Sequence, residues 1–184
     1  MLTINFTPHP TLSTERLILR EMMPEDKHVM FSMRSDPETM RYVPRPLAKG
    51  VEDAEALINV IRNNVATNEG INFAITLKDT GEMVGAIGYF NISKENHRAE
   101  LGYILHKDHQ GKGLMQEAIK AVIDFAFNDM KLHAIEAVIN PDNAASIQVV
   151  ERNGFTRAAF FKDYILHNDA FVDAYVYTLL TPHR

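Results

Sequence analysis

Leu105-His106-Lys107-Asp108-His109-Gln110-Gly111-Lys112-Gly113-Leu114 is the stretch on which the fold turns. Before it, Ala99 to Leu105 reads as a strand. After it, Lys112 to Met130 reads as the longest helix, with Gln116, Lys120, Asp124 and Asn128 as its wet stripe. A strand gives way to a helix within a few residues, and two glycines flank Lys112 at the junction. Glycine lets the backbone turn with unusual dihedrals and lets a ligand approach the main chain. Successive free N–H groups at a helix start, aided by the helix dipole, cradle an anion. The ligand implied is a phosphate or pyrophosphate. A Walker A loop is excluded, because Lys112 is followed by Gly113 and no glycine stands five residues before Gly111. A dinucleotide fingerprint is excluded because Gln116 stands where its third glycine belongs. Taken alone, a bare G-x-G is more often a plain tight turn.

Outward from the loop, the pattern alternates between strands and helices. Residues 1–13, with Pro8 and Pro10, read as an extended arm, and residues 14–184 as one domain. Thr14 to Met22 places Leu17 and Leu19 on one face of a first strand, with Arg16, Ile18 and Arg20 on the other. Pro24-Glu25-Asp26 opens a helix that ends before Asp36-Pro37, and a short helical piece is expected over Glu38 to Tyr42. Val51 to Thr67 is a second amphipathic helix. Strands follow at Ile71 to Leu77 and Met83 to Phe90, where Gly85 and Gly88 suggest a bulge or a close backbone approach. His133 to Ile139 reads as a buried strand, and Asn143 to Asn153 as a short helix closed by Gly154. Phe155 to Leu166 and Phe171 to Leu180 form a long hairpin around His167-Asn168-Asp169. The order describes a mixed α/β domain around one central sheet.

Composition narrows the class. The chain has 184 residues, 46% hydrophobic, with no cysteine, no tryptophan and a formal charge of −5. That length suits one domain. Zero cysteine removes disulfides, thiolate metal sites and a cysteine nucleophile. No apolar stretch approaches the ~20 residues of a membrane span, and Met1 to Ser13 lacks the pattern of a secretory signal. The acidic balance argues against general nucleic-acid binding. These features predict a soluble cytoplasmic protein, monomeric or homodimeric, with no membrane or nucleic-acid partner.

A second motif changes the reading of the loop. Asn140-Pro141-Asp142-Asn143-Ala144-Ala145-Ser146-Ile147-Gln148-Val149-Val150-Glu151-Arg152-Asn153-Gly154-Phe155 places an N-capping asparagine between a strand and a helix that stops at Asn-Gly-Phe. Taken with HQGKGLMQEAIKAVIDFAF, it resembles the GNAT superfamily of acetyl-CoA-dependent N-acetyltransferases, and in particular the ribosomal-protein N-terminal acetyltransferase branch. The opening TERLILREMMPED, AELGYIL before the loop and the closing DAYVYTLL are similar to that branch too, so the resemblance covers about residues 14–180. It implies a mostly antiparallel central sheet with flanking helices.

The resemblance also implies site residues. Backbone N–H groups of His109, Gln110, Gly111, Lys112, Gly113 and Leu114 would hold the coenzyme pyrophosphate. Asp108 departs from the family's usual Q/R-x-x-G-x-G/A at the first position, so its carboxylate should point away or cap the helix. Lys112 either offsets phosphate charge or is simply solvated. Tyr103, Ile104 and Leu105 would bind the pantetheine arm like an added strand, with a backbone N–H there as oxyanion donor. Asn143 and Ser146 match the branch's N-x-x-S, where they face the coenzyme; an N-cap and an N3 side chain are compatible with that. The tyrosine that many members place seven residues after this asparagine is Val150 here, so Ser146 is left to hydrogen-bond the leaving sulfur. Glu100 is the first candidate base, set against an ion pair with Arg98 or His97; Asp163 and Asp173 are lesser candidates. The expected reaction is direct transfer to a primary amine, a protein or peptide α-amine slightly ahead of a small molecule. A fold-sharing acyl-CoA sensor without catalysis is the alternative.

Other signals weigh less. His106, Asp108 and His109 form a polar knot but lack helical metal-ligand spacing, so no metal is expected. The methionines near the first helices, Met22, Met23, Met30, Met33 and Met40, read as core filling or as the lining of an acceptor pocket. The aromatics Phe160, Phe161, Tyr164, Phe171, Tyr175 and Tyr177 read as sheet packing or a dimer contact. Acidic excess near the acceptor cleft would favour a cationic amine.

Overall fold

The computed structural model describes residues 1–182. Eight strands form one sheet in the order β1-β2-β3-β4-β5-β6-β8-β7. They are β1 (Leu12–Ser13), β2 (Leu17–Glu21), β3 (Ile71–Leu77), β4 (Met83–Ser93), β5 (Arg98–Leu105), β6 (Ala134–Ile139), β7 (Thr156–His167) and β8 (Ala170–Leu180). Four helices flank them: α1 (Lys27–Arg34), α2 (Val51–Ala66), α3 (Leu114–Asn128) and α4 (Ala144–Arg152). All strand pairs are antiparallel except β5 with β6. This is the mixed, mostly antiparallel sheet expected from the sequence.

Period-two alternation divides the sheet into two apolar faces. Leu17, Leu19, Phe73, Ile87 and Leu101 pack with Leu114, Ile119, Val122 and Phe125 of α3 in the larger core. On the other face, Ala74, Ala86 and Ile104 meet Met30 and Met33 of α1 and Ala54 and Ile58 of α2. Met22, Met30, Met33 and Met40 are each 2% exposed or less, which makes them core filling rather than pocket lining, whereas Met23 is exposed. Gly88 is required by close approach, since a Cβ there would stand 2.1 Å from the Ile71 carbonyl oxygen.

Two parts of the chain differ from their sequence reading. Glu38 to Tyr42 is a run of turns, not a helix. The Asp36 carboxylate takes hydrogen bonds from the Thr39 N–H at 2.9 Å and its hydroxyl at 2.6 Å, a local alternative to helix continuation, and Pro44 and Pro46 stop any extension. Helix α3 begins at Leu114, two residues later than expected, because Gly111 and Gly113 both hold positive φ, +72° and +77°. The helix after Pro24 also starts late: Pro24–Asp26 is a 3-10 turn, and α1 follows it. Asp26 is buried there, bound by both terminal nitrogens of Arg20 at 2.8 and 2.9 Å, which ties β2 to the start of α1.

Residues 1–13 are fastened to the sheet. Phe6 is 1% exposed, and its N–H donates to Asn68 Oδ1 at 2.7 Å. Leu12–Ser13 pairs with Ile18 and Leu19 as β1.

Candidate active site

The sheet opens at its centre. β5 pairs with β6 only through Arg98, Ala99 and Glu100; from Ala137 onward β6 pairs with β8 alone. The N–H of His106 bonds the Val84 carbonyl at 2.8 Å, so alternation along β5 turns the backbone groups of Ile104 and Gly102 toward β4. Those of Tyr103 and Leu105 then face the side that β6 has left, the Leu101 N–H being the last engaged by the pairing of Glu100 with Glu136. The Leu105 carbonyl on that side accepts from Gln110 Nε2 at 3.0 Å, which closes the far end of the gap.

The glycine loop borders this opening. After a 3-10 turn over Lys107–His109, Gln110 is extended and the chain swings into α3 through the two left-handed glycines. A Cβ at Gly111 would meet nothing within 4 Å, and one at Gly113 only Arg16 Nη2 at 3.5 Å. The outer side of the loop is therefore open, and the glycines serve its backbone geometry. Lys112 spends its ammonium inside the loop, donating to the Asp108 carbonyl at 2.8 Å, which matches neither of its two sequence readings. Asp108 does not cap α3; its exposed carboxylate lies 3.6 Å from His106 Nδ1, and the His106 and His109 rings sit 6.1 Å apart.

A brace that looks like ordinary surface charge in the sequence holds the loop from β2. Arg16 donates to the Lys112 carbonyl at 2.9 Å and to Glu117 Oε2 at 2.7 Å. Glu117 Oε1 also takes the Arg16 N–H at 2.7 Å and the Thr14 hydroxyl at 2.5 Å. Burial alone would raise the Glu117 carboxyl, but these donors outweigh it and hold it below the usual range.

The two candidate catalytic residues occupy opposite faces of β5. Ser146 lies in the first turn of α4, its N–H capped by Asn143 Oδ1 at 3.2 Å. Its Oγ accepts from the Tyr103 hydroxyl at 3.1 Å. Burial pushes the Tyr103 phenol up to about 12, against the opposing hydrogen bond to Ser146. Sequence reasoning used only the backbone of Tyr103. The signal for its side chain was present, since alternation puts it with Leu101 and Leu105 on the α3–α4 face.

Glu100 lies on the other face, at the last β5 position paired with β6. Arg98 does not neutralise it; that arginine binds Glu136 at 2.5 Å instead. Glu100 Oε2 accepts from Asn91 Nδ2 at 2.9 Å. Asn91 is aimed there by a bulge in β4, where Asn91 and Ile92 stand opposite Ala99 alone and Asn91 has φ +49°. Burial raises the Glu100 carboxyl, the Asn91 bond lowers it, and the neighbouring Glu136 charge raises it again, for a net upward shift. An open hollow lined by Asn64, Asn68, Glu69, Phe90, Asn91 and Lys94 adjoins it. Asp173 is occupied in the hairpin, where its Oδ1 accepts from the Asp163 N–H at 2.9 Å.

The family model of the GNAT acetyltransferase domain matches residues 16–156. An uncharacterised N-acetyltransferase of Bacillus licheniformis, p20, is 36% identical over 92% of this chain and 96% of its own length. The chain belongs to the GNAT acetyltransferase family. The ribosomal protein uS5 alanine N-acetyltransferase of Escherichia coli is 30% identical over 70% of this chain and 66% of that protein. A crystal structure of a GNAT-family acetyltransferase from Bacillus anthracis superposes with a TM-score of 0.83 at 29% identity, covering 93% of this chain and 98% of that one. Mycobacterium smegmatis RimJ, solved with a coenzyme A disulfide, shares the fold with a TM-score of 0.85 at 22% identity, over 93% of this chain and 87% of its own. GNAT enzymes use acetyl-CoA, so the opened sheet and the glycine loop have a ligand class to fit.

Proposed function

We propose that this chain transfers acetyl from acetyl-CoA to a primary amine by direct attack in a ternary complex, a protein or peptide α-amine being favoured over a small molecule. The observation that carries this reading is the split beside β5, with Glu100 on one face and the Tyr103–Ser146 pair on the other. The residues fit the coenzyme: the N–H groups of Gly111 to Leu114 suit its pyrophosphate, those of His109 and Gln110 being spent on the His106 and Lys107 carbonyls, and Tyr103 and Leu105 offer strand-like hydrogen bonds to its arm. The uS5 alanine enzyme and an E. coli ribosomal-protein-serine acetyltransferase, 30% identical over 69% of this chain, support a protein acceptor.

Proton accounting assigns the roles. An α-amine near pKa 7.7–8.0 is partly neutral at pH 7, so it needs only a modest base. Glu100, raised but hydrogen-bonded to Asn91, takes the proton that the attacking nitrogen must lose. A β5 backbone N–H facing the gap stabilises the oxyanion. As the carbon–sulfur bond breaks, the Ser146 hydroxyl donates to the sulfur, because its own acceptor site is filled by Tyr103. Tyr103 does not supply the proton itself: a phenol at about 12 is a weaker acid than a thiol near 8.5. Its work is to hold the Ser146 hydroxyl in one orientation. With no cysteine in the chain, no cysteinyl acyl-enzyme forms.

The test is thermal denaturation with acetyl-CoA, followed by a thiol-release assay over a panel of peptides and small amines. Coenzyme-dependent stabilisation with thiol release on adding an amine supports the proposal. Stabilisation without release for any amine would make the chain a coenzyme-binding sensor instead.

A further inference from the structure

Arginines in the scaffold of this acidic chain sit on carboxylates: Arg16 on Glu117, Arg20 on Asp26, Arg62 on Glu21 and Arg98 on Glu136. The segment joining α1 to α2 breaks that habit. Arg34, Arg41 and Arg45 stand within it or at its edge, and none makes an ion pair among the described residues. Arg41 lies over the Tyr42 ring, 5.2 Å from its centre. Arg34, the last residue of α1, is half-buried: its Nε has no hydrogen-bond partner, and Nη1 reaches only the Met40 sulfur at 3.9 Å. The Ala48 N–H donates to the Arg34 carbonyl at 2.9 Å, so the segment folds back over the helix end and brings Arg45 with it. Burial, then the like charge of Arg45, lower the Arg34 guanidinium from its usual value.

A half-buried guanidinium with a second cation near it is costly, and an anion held between the two relieves that cost. The place suits an acceptor. Met33 and Met40 share a packed cluster with Ile104 of β5, and Asp36 contacts Lys107 at 3.6 Å just beyond that strand. The segment therefore lies against the open end of β5, on the face that carries Glu100. Guanidinium forks bind carboxylate and phosphate in the same two-point way. We propose that Arg34 and Arg45 form an anion site for the acceptor, so that the amine acetylated here carries a carboxylate or phosphoryl group. The inference rests on the acetyltransferase reading and sharpens its substrate class. It also reverses the expectation of a purely cationic amine.

Three matched peptides test it in thiol release with saturating acetyl-CoA: Ala-Asp-Ala-amide, Ala-phosphoserine-Ala-amide and Ala-Asn-Ala-amide. The wild type should favour one of the anionic peptides over the asparagine peptide by about tenfold in kcat/KM, mostly through KM. The better of the two identifies the anion. R45Q, an exposed position, and R34K, which keeps the buried charge but loses the fork, should each bring that ratio close to one. A wild-type ratio of one or below, or a ratio that survives both variants, overturns the proposal. If no peptide or small amine supports release, the acetyltransferase reading fails. The anion site is then read by thermal denaturation with coenzyme A and inorganic phosphate or glutarate against chloride at equal ionic strength. Equal responses of wild type and R45Q there overturn it as well.

Discussion

The two faces of β5 are built on different principles. On the α3–α4 face, the polar groups bordering the gap are paired within the protein: Tyr103 on Ser146, Ser146 on Asn143, Arg16 on Glu117 and on the Lys112 carbonyl, while Gln116 Oε1 and Asn153 Oδ1 are buried without a partner away from these pairs. On the α1–α2 face, Arg20 is paired with Asp26 and Arg62 with Glu21, but Glu100 has an amide and no cation, and Arg34 has a thioether and no carboxylate. The paired groups suit a partner that is always the same, as the coenzyme of the proposed reaction is. The unmatched face leaves charges for a partner the protein must select.

The sharpest way to break this contrast is to remove the unmatched carboxylate. Glu100→Gln should lower kcat by roughly 10²-fold in steady-state thiol release, as loss of a general base does. In the wild type, the rising limb of kcat against pH should lie above the ordinary glutamate range, because the Glu100 pKa is raised, and should vanish in the variant. Retained activity would move the base to a water relay. Next in size, Gly113→Ala must place a side chain at φ +77°, a strain of about 1–2 kcal/mol. Calorimetric titration should show coenzyme affinity falling by about tenfold. Ser146→Ala should lower kcat by about tenfold with little change in coenzyme affinity. Tyr103→Phe should cost less, and nothing further in the Ser146→Ala background, if it acts only through that hydroxyl. Equal, additive losses would give Tyr103 its own contact with substrate.

The smallest effect concerns the brace on the matched face. The Glu117 pKa is lowered in the fold, so its ion pair stabilises above the usual glutamate value of about 4.3 and the benefit is lost as acid protonates it. Glu117→Gln should therefore melt below wild type at pH 7, and the two curves should converge on acidification. A gap that persisted at low pH would mean the charge is not what holds the loop.

Part of the candidate site was legible in the sequence, though not this contrast. Strand alternation and the positions of Gly111 and Gly113 located the loop, and Asn143 announced itself as a helix cap. These are local signals, set within one turn or one strand. The brace was not legible, because Arg16 and Glu117 stand a hundred residues apart and each looks like surface charge. Nor was the Asn91 contact: a bulge depends on the register between two strands, which composition does not encode. The turns from Glu38 to Tyr42 misled for the opposite reason. Their residues tolerate a helix, and the Asp36 side chain decided against it. The exposed Phe160, Tyr164 and Phe171 of the β7–β8 hairpin, each more than half exposed, stand apart from Tyr177, which is buried with its hydroxyl on Glu151. The sequence reading grouped these aromatics together as sheet packing or a dimer contact and foretold neither that division nor the stacking of Phe161 on Tyr164 at 4.8 Å.

The parting of β5 from β6 leaves a strand edge in the middle of a sheet. Edges of that kind recruit other chains, and proteins ordinarily blunt them at the periphery. In the proposed complex the coenzyme arm would blunt this one. Amides of Tyr103 and Leu105 should trade hydrogen for deuterium quickly in the free protein and slowly with coenzyme bound. The unliganded enzyme should also be the form that self-associates on storage.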